Sequence, residues 1–360
     1  MNAEMTGEAG VGATVSEELL LPLEGDGGCM AKLPAQALEQ LLAGMDWGPG
    51  ERVAVGLEHG DDAGVYLLDE AQGLILTTDF FPPFCRNPYR FGEIAAVNAL
   101  SDVYAMGGVP LAALNITIFP AQGIPLGALR RILEGGVSSA RRAGIPVIGG
   151  HSITGTTPVY GMAVLGRIEP QRVVRNDQLQ PGNDLVLTKP LGVGVALAAE
   201  RIGLAPEATM RDAHASMLQL NDRASQLMLE FGCTAGTDVT GFSLAGHAFR
   251  MARASGVTVR LHSKALPVLG GVRELVEMGC IPGASFRNAE YMGTQWRVAA
   301  DVPPWLITLA TDPQTSGGLL MAVEPGLSDS LVQRLRAVGC EHATVVGHTE
   351  PQGDVSLVLE

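Results

Sequence analysis

Cysteine is scarce and scattered. The five thiols, at positions 29, 85, 233, 280 and 340, form no Cys-x-x-Cys pair and no zinc-ligand spacing. With no disulfide framework to read, the cytosol is the expected compartment. Basic residues are few as well, 24 Lys and Arg against 38 Asp and Glu, for a net charge of −14. That balance, with no basic–aromatic stripe, argues against nucleic acid as a partner. No stretch approaches the roughly 18 apolar residues of a membrane helix. The first 18 residues carry acidic but no basic side chains, unlike a signal peptide. A GxxxxGK[ST] phosphate loop and a dinucleotide fingerprint are both missing, so any nucleotide is held by other means.

What the chain has instead is glycine, 46 residues of it, within a composition 46% hydrophobic and only 17% charged. This describes a folded protein with many tight loops, long enough for two or three domains. Residues 1 to about 22 read as a flexible arm. A glycine-rich loop follows, Gly25 to Lys32, whose glycines are expected to leave the Cys29 thiol uncovered. A short amphipathic helix is expected over 34–45, with Leu38, Leu41 and Leu42 on its buried side.

A first unit then alternates strands (52–57, 63–68, 74–78, 111–118, 145–148, 159–167) with helices at 91–106 and 125–143, an α/β or α+β pattern. The turn-rich link 169–184 separates it from a second unit. There, strands are expected at 185–188, 257–261, 305–309 and 319–323, and helices at 195–201, 209–230, 243–254 and 271–278. A helix–strand pair over 327–347 ends the chain. The resulting division is a leader (1–48), an N-terminal domain (49–168) and a C-terminal domain (169–360).

Four aspartates, Asp62, Asp79, Asp102 and Asp238, sit beside small residues in turns or on a compact helix. Asn98 and Asp102 are four apart on one face of that helix. Carboxylates gathered from separate segments repel one another unless a cation neutralises them, and magnesium is the hard cation that then bridges to phosphate. Read singly, such an aspartate is more often a structural Asx-turn acceptor. Asp61 is the weaker of its pair, because one of two adjacent side chains faces a site. The loops Gly149-Gly150-His151-Ser152 and Thr315-Ser316-Gly317-Gly318 offer amides and hydroxyls to phosphate, or are simply tight turns. Lys32, three residues from Cys29, is placed to lower the thiol pKa and to meet a transferring phosphoryl group. The alternative is a solvated lysine and a bystander thiol.

These motifs, in this order, resemble the selenophosphate synthetase (selenide, water dikinase) family: Gly60-Asp61-Asp62-Ala63, Thr77-Thr78-Asp79-Phe80-Phe81, Asn98 to Gly108, Gly149 to Ser152, Leu187 to Gly192, Thr237 to Phe242 and Asp312 to Gly318. The resemblance runs from about Gly27 to the C-terminus. It implies a two-domain fold shared with aminoimidazole ribonucleotide synthetase, thiamine-monophosphate kinase and a hydrogenase-maturation protein. It further implies a homodimer paired through the N-terminal domains, with ATP in a cleft at that interface and the leader as a lid.

Magnesium would be held by Asp62, Asp102 and Asp238 with Asp79 alongside, and potassium is a candidate further cation. Cys29 and Lys32 would be the catalytic pair. Lys32, Thr78, Asp79, Asp102, Gly149, Gly150, His151 and Ser152 would contact the nucleotide. The implied reaction turns ATP, selenide and water into selenophosphate, AMP and phosphate, and a selenium-delivery protein is a candidate partner. Two features depart from some members: Ala31 replaces a second cysteine, and Ile281 to Phe286 changes the approach to Arg287 and Asn288. The competing expectations are a small-molecule kinase of the same superfamily and a nonenzymatic paralogue that binds nucleotide or selenium.

Overall fold

The computed structural model describes residues 20–23, 25–48 and 50–360. The arm expected over residues 1 to about 22 lies almost wholly outside them. Two sheets organise the rest. The first contains β1 (Val53–Val55), β2 (Gly64–Leu67), β3 (Gly73–Phe81), β4 (Val109–Phe119), β5 (Val147–Thr154) and β6 (Val159–Ile168), in the order β1-β2-β3-β6-β4-β5. Its pairs are antiparallel apart from β4 and β5, which run parallel.

After helix α1 (Ala35–Leu42), helices α2 (Pro88–Ala105) and α3 (Leu126–Arg142) accompany this sheet. The start of α2 is written locally: the Asn87 side chain accepts from the Arg90 amide, and Pro88 occupies the first turn. Glycines let α2 and α3 meet backbone to backbone. A Cβ at Gly92 would lie 1.9 Å from the Ile132 carbonyl oxygen, and one at Gly135 would lie 2.0 Å from that of Tyr89.

The second sheet contains β7 (Asp184–Leu187), β8 (Gly236–Asp238), β9 (Val257–Leu261), β10 (Trp296–Val298), β11 (Leu319–Val323), β12 (Thr344–Pro351) and β13 (Leu357–Leu359), in the order β10-β13-β9-β12-β7-β11-β8. Its helices include α4 (Val193–Arg201), α5 (Glu207–Leu218), α6 (Asp222–Glu230) and α7 (Ser243–Ser255). Elements of this half close over α2: Asn221 donates to the Ser101 hydroxyl at 2.9 Å, and the Ser225 hydroxyl donates to the Tyr104 carbonyl at 2.7 Å. Packed on all sides, α2 buries Asn98, Ser101 and Asp102 along with its alanines.

Several expectations change. The helix expected over 209–230 is two helices, broken where Asn221 turns inward. Residues 305–309 lie in a helix, Pro304–Thr311, not a strand. A five-residue apolar run does not distinguish the two, whereas Pro303-Pro304 is a helix start. The helix Gly283–Met292 and the short strands β10 and β13 had no sequence signal strong enough to mark them. In α1, only Ala35 is buried, and Leu38 and Leu41 are exposed.

Candidate active site

A cavity of about 700 Å³ opens where the first sheet, the leader helix and α7 meet. Its wall includes Lys32, Leu38 and Leu42 from the leader, Asp61 and Asp62 from the β1–β2 turn, Thr77, Thr78 and Asp79 from β3, Asp102 from α2 and Asp238 from β8. Leu38 and Leu42 of α1 therefore face this space instead of a core, while Leu41 lies exposed outside it. Asp79 is inside β3 and not at a strand end, because β3 continues to Phe81.

Each carboxylate is fixed by a neighbour. Thr77 on β3 donates its hydroxyl to Asp102 across to α2. Thr237 on β8 donates to Asp62 Oδ1 at 2.8 Å, which joins the two halves of the chain. Asp61 points the other way and accepts the Asn176 amide at 2.6 Å, as its adjacency to Asp62 suggested. Two oxygens of the cluster, Asp62 Oδ2 and Asp238 Oδ2, are buried without a hydrogen-bond partner.

Burial, reinforced by Asp238, pushes the Asp62 carboxyl well above its ordinary range. Burial with Asp79 and Asp238 does the same to Asp102. Asp238 is pushed up to about 6 by burial, against the pull of the Ser101 hydroxyl and Lys32. Such a group favours a positive charge in its midst. Among the described residues, no three His, Cys, Asp or Glu side chains form a ready metal cage. The two orphaned oxygens nonetheless suit a hard cation that takes its other ligands from phosphate and water.

The leader inserts above this cluster. The Lys32 ammonium lies 3.2 and 3.4 Å from the two oxygens of Asp79. Burial opposes its charge, but Asp79, with Asp102 and Asp238, outweighs that and raises its pKa, so it stays cationic. Cys29 is not uncovered. It is 1% exposed, its thiol donates to Asn98 Oδ1 at 3.3 Å, and its amide donates to the Thr315 hydroxyl at 3.2 Å. Burial pushes the thiol up to about 12, and Lys32 lowers it only in part. In this conformation Cys29 is a neutral thiol. The leader is held by the second half: Arg287 contacts Asp26 at 3.3 Å and the Met30 carbonyl at 3.1 Å, and Arg201 donates to the Gly25 carbonyl at 2.7 Å. Asn288 donates to the Gly241 and Thr311 carbonyls, which settles what this pair touches.

Gly149, Gly150, His151 and Ser152 do not border the cavity. They belong to β5, an edge strand exposed along most of its length, and not to a loop. The Thr315–Gly318 loop does not border it either, but its Ser316 amide donates at 2.9 Å to Asn98 Oδ1, whose side-chain amide donates in turn to Asp79.

Three further residues were not named as site candidates from the sequence. Buried Lys189 donates to the Gln219 and Ser316 carbonyls at 2.7 and 2.9 Å, and burial lowers its pKa to about 7. His247, on α7, is buried between Thr237 and Thr240. Burial, with Arg250 and Lys32, keeps its pKa well below the usual histidine value. Its position after Thr237–Phe242 was a signal, but its inward face shows only once α7 is placed. Arg250 stacks over the Phe242 ring at 5.2 Å and lines the cavity.

Residues 60–168 match the family described as AIR synthase related protein, N-terminal domain, and residues 180–360 match its C-terminal domain. A selenide, water dikinase of Porphyromonas gingivalis is 45% identical over 334 residues, covering 92% of this chain and 95% of that protein. One from Burkholderia ambifaria is 44% identical over 330 residues, covering 91% and 93%. Among solved structures, a thiamine-monophosphate kinase from Stenotrophomonas maltophilia shares the fold with a TM-score of 0.64, at 17% identity over 90% of this chain and 94% of that one.

Proposed function

The chain belongs to the selenide, water dikinase family, and from that premise we propose how its residues carry out the family reaction. It is an ATP-dependent phosphotransferase that makes selenophosphate, AMP and phosphate from ATP, selenide and water. One observation carries the reading of the site: Lys32 and the carboxylates of Asp62, Asp79, Asp102 and Asp238 border a single cavity although they come from the leader and both sheets. Loose, charge-spread phosphoryl transfer asks chiefly for positioning and neutralisation.

Lys32, kept charged by Asp79, is the fixed cation for the transferring phosphoryl group. Asp62, Asp102 and Asp238, with Asp79 alongside, would hold magnesium. When bound, magnesium neutralises phosphate oxygens and lets an acidic protein hold a polyphosphate. Selenide is a strong nucleophile that requires little activation by a base. Cys29, a neutral thiol where it lies, is therefore assigned to receiving or presenting selenium and not to attacking phosphorus. Leader closure would keep water from the first transfer.

We also assign this chain to a cytoplasmic homodimer. All five cysteines are free and buried, in keeping with a reducing compartment. No helix among the described residues is long and apolar enough to cross a membrane. The face of the first sheet away from α2 is apolar and open, with Leu76 55%, Phe80 48% and Leu114 43% exposed. Register places Thr78, Ala163, Leu114 and Gly149 in one row across that face, and Phe80, Gly161, Ile116 and His151 in the next. A second copy on this face would thus meet Thr78, Gly149 and His151 together. Those are the nucleotide-contact candidates that one chain leaves apart, with Gly150 and Ser152 on the same strand. The N-terminal domain (49–168) would then pair, and the C-terminal domain (169–360) would close the cavity from the other side.

Phosphorus NMR on the protein with ATP and magnesium, anaerobically and with or without selenide, tests this. Selenide-dependent AMP and phosphate are expected, with a selenium-coupled phosphorus signal that vanishes in Lys32→Ala and persists in part in Cys29→Ser. ATP conversion that stops at ADP would overturn the reading.

A further inference from the structure

His247 borders the same cavity as the carboxylates but hydrogen-bonds to Thr237 and Thr240 and to none of the aspartates, and those bonds specify its proton. The Thr240 backbone amide donates to His247 Nε2 at 3.2 Å. An amide can only donate, so Nε2 is the bare acceptor and the neutral ring carries its hydrogen on Nδ1. Nδ1 lies 3.3 Å from the Thr237 hydroxyl oxygen and therefore donates to it. That hydroxyl is left one proton and two acceptors: Asp62 Oδ1 at 2.8 Å and the Asp238 carbonyl at 3.2 Å. The carboxylate is closer and charged, and it wins. One direction of donation then runs Thr240 amide, His247, Thr237 hydroxyl, Asp62 Oδ1. It ends on the carboxylate whose other oxygen, Oδ2, is buried with no partner.

We propose that His247 is a positioning residue that acts through Thr237 to hold Asp62 with Oδ1 occupied and Oδ2 free for a cation. This deepens, and rests on, the assignment of Asp62 to the metal–nucleotide site. The chain of donors joins α7 to the β1–β2 turn, so His247 sets the orientation of a carboxylate to which it makes no direct hydrogen bond. Were the ring on its Nε2–H tautomer, the Thr240 amide would face a hydrogen, and Thr237 would turn its proton toward Nδ1 and away from Asp62.

Two readouts test this without turnover. Nitrogen-15 NMR of the histidine ring in the ligand-free protein is expected to show Nδ1 protonated and Nε2 bare, and the reverse tautomer overturns the proposal. Calorimetry of manganese binding in the presence of a non-hydrolysable ATP analogue gives the second. His247→Leu and Thr237→Val are each expected to weaken manganese about tenfold or more, as loss of an outer partner does at metal sites. The double variant should be no weaker than either single one, because both cut the same chain. His247→Asn, whose amide nitrogen falls where Nδ1 was, is expected to recover most of the affinity, whereas a merely structural histidine would show no such rescue. Weakened binding in Asp62→Asn with none in His247→Leu sinks the relay and leaves the metal reading standing. No change in either variant sinks both.

Discussion

At the scale of single residues, the buried acids separate into two kinds. Asp62, Asp102 and Asp238 face a cavity that admits a counter-charge. Asp312 does not. It is fully buried, accepts the Gly194 amide at the start of α4 at 3.0 Å and the Gln314 side chain at 2.8 Å, and leaves Oδ1 unpaired. Burial pushes its pKa up to about 8, against those hydrogen bonds. A raised folded-state pKa means that the native state binds more protons than the unfolded chain between the ordinary carboxylate range and about 8. Stability from this group is therefore full in acid and declines as pH rises through that window. The slope for one proton is at most about 1.4 kcal/mol per pH unit. Denaturant melts of the wild type and Asp312→Asn between pH 5 and 8 are expected to converge in acid and diverge upward, with the variant the flatter. Parallel curves would show that Asp312 is ionised when buried.

At the scale of elements, the leader is a short 3₁₀ turn, Gly28–Ala31, followed by α1, and it depends on close backbone approach. A Cβ at Gly27 would lie 2.1 Å from the Pro83 carbonyl oxygen, and one at Gly241 would lie 2.5 Å from that of Cys29. The two arginine contacts to Asp26 are partly exposed, with side chains 31–42% accessible, so each pair is worth only about 0.2–1 kcal/mol. Asp26→Ala should consequently raise the rate of iodoacetamide labelling at Cys29 several-fold, and Gly27→Ala, which forbids the seated leader, should raise it further. Mass spectrometry of timed quenches reads this directly. Equal rates in all three proteins would mean that the thiol is reached without leader opening.

Elements were legible where their local chemistry was strong. The helix expected over 91–106 is α2, which begins three residues earlier at Pro88 behind the Asn87 cap and ends before Gly107. The leader was misread because its glycines predict freedom, whereas here they serve close packing that only the folded partner reveals. The α1 leucines failed for a related reason: amphipathic spacing reports an apolar face but not whether that face meets a core or a cavity.

At the scale of the whole molecule, acids far apart in the sequence gather at one cavity. Asp62, Asp79, Asp102 and Asp238 stood out as acids beside small residues, and Lys32 by its spacing from Cys29, and all five border one cavity. Thr237 and Lys189 lie within named motifs and His247 follows one, but what each does depends on tertiary neighbours that the sequence does not show. Gly149 to Ser152 pose the remaining problem, since they lie on an edge strand of the open face and away from the cavity of their own chain. If a second copy covers that face, Leu114 lies in the row that links Thr78 to Gly149, beyond the residues that surround Lys32.

Burying a leucine or phenylalanine fully is worth about 1.5–3 kcal/mol, and several on each side sustain a dimer. A carboxylate at position 114 would have to be desolvated against its own symmetry mate, which costs more than a lost contact. Light scattering is expected to give twice the chain mass for the wild type and a single chain mass for Leu114→Glu, with the monomer still folded by circular dichroism. ATP conversion should fall at least tenfold with it, because the site would lack the partner's β5. A Leu114→Glu monomer with undiminished conversion would place the complete site within one chain, and Gly149 to Ser152 would then have no part in it.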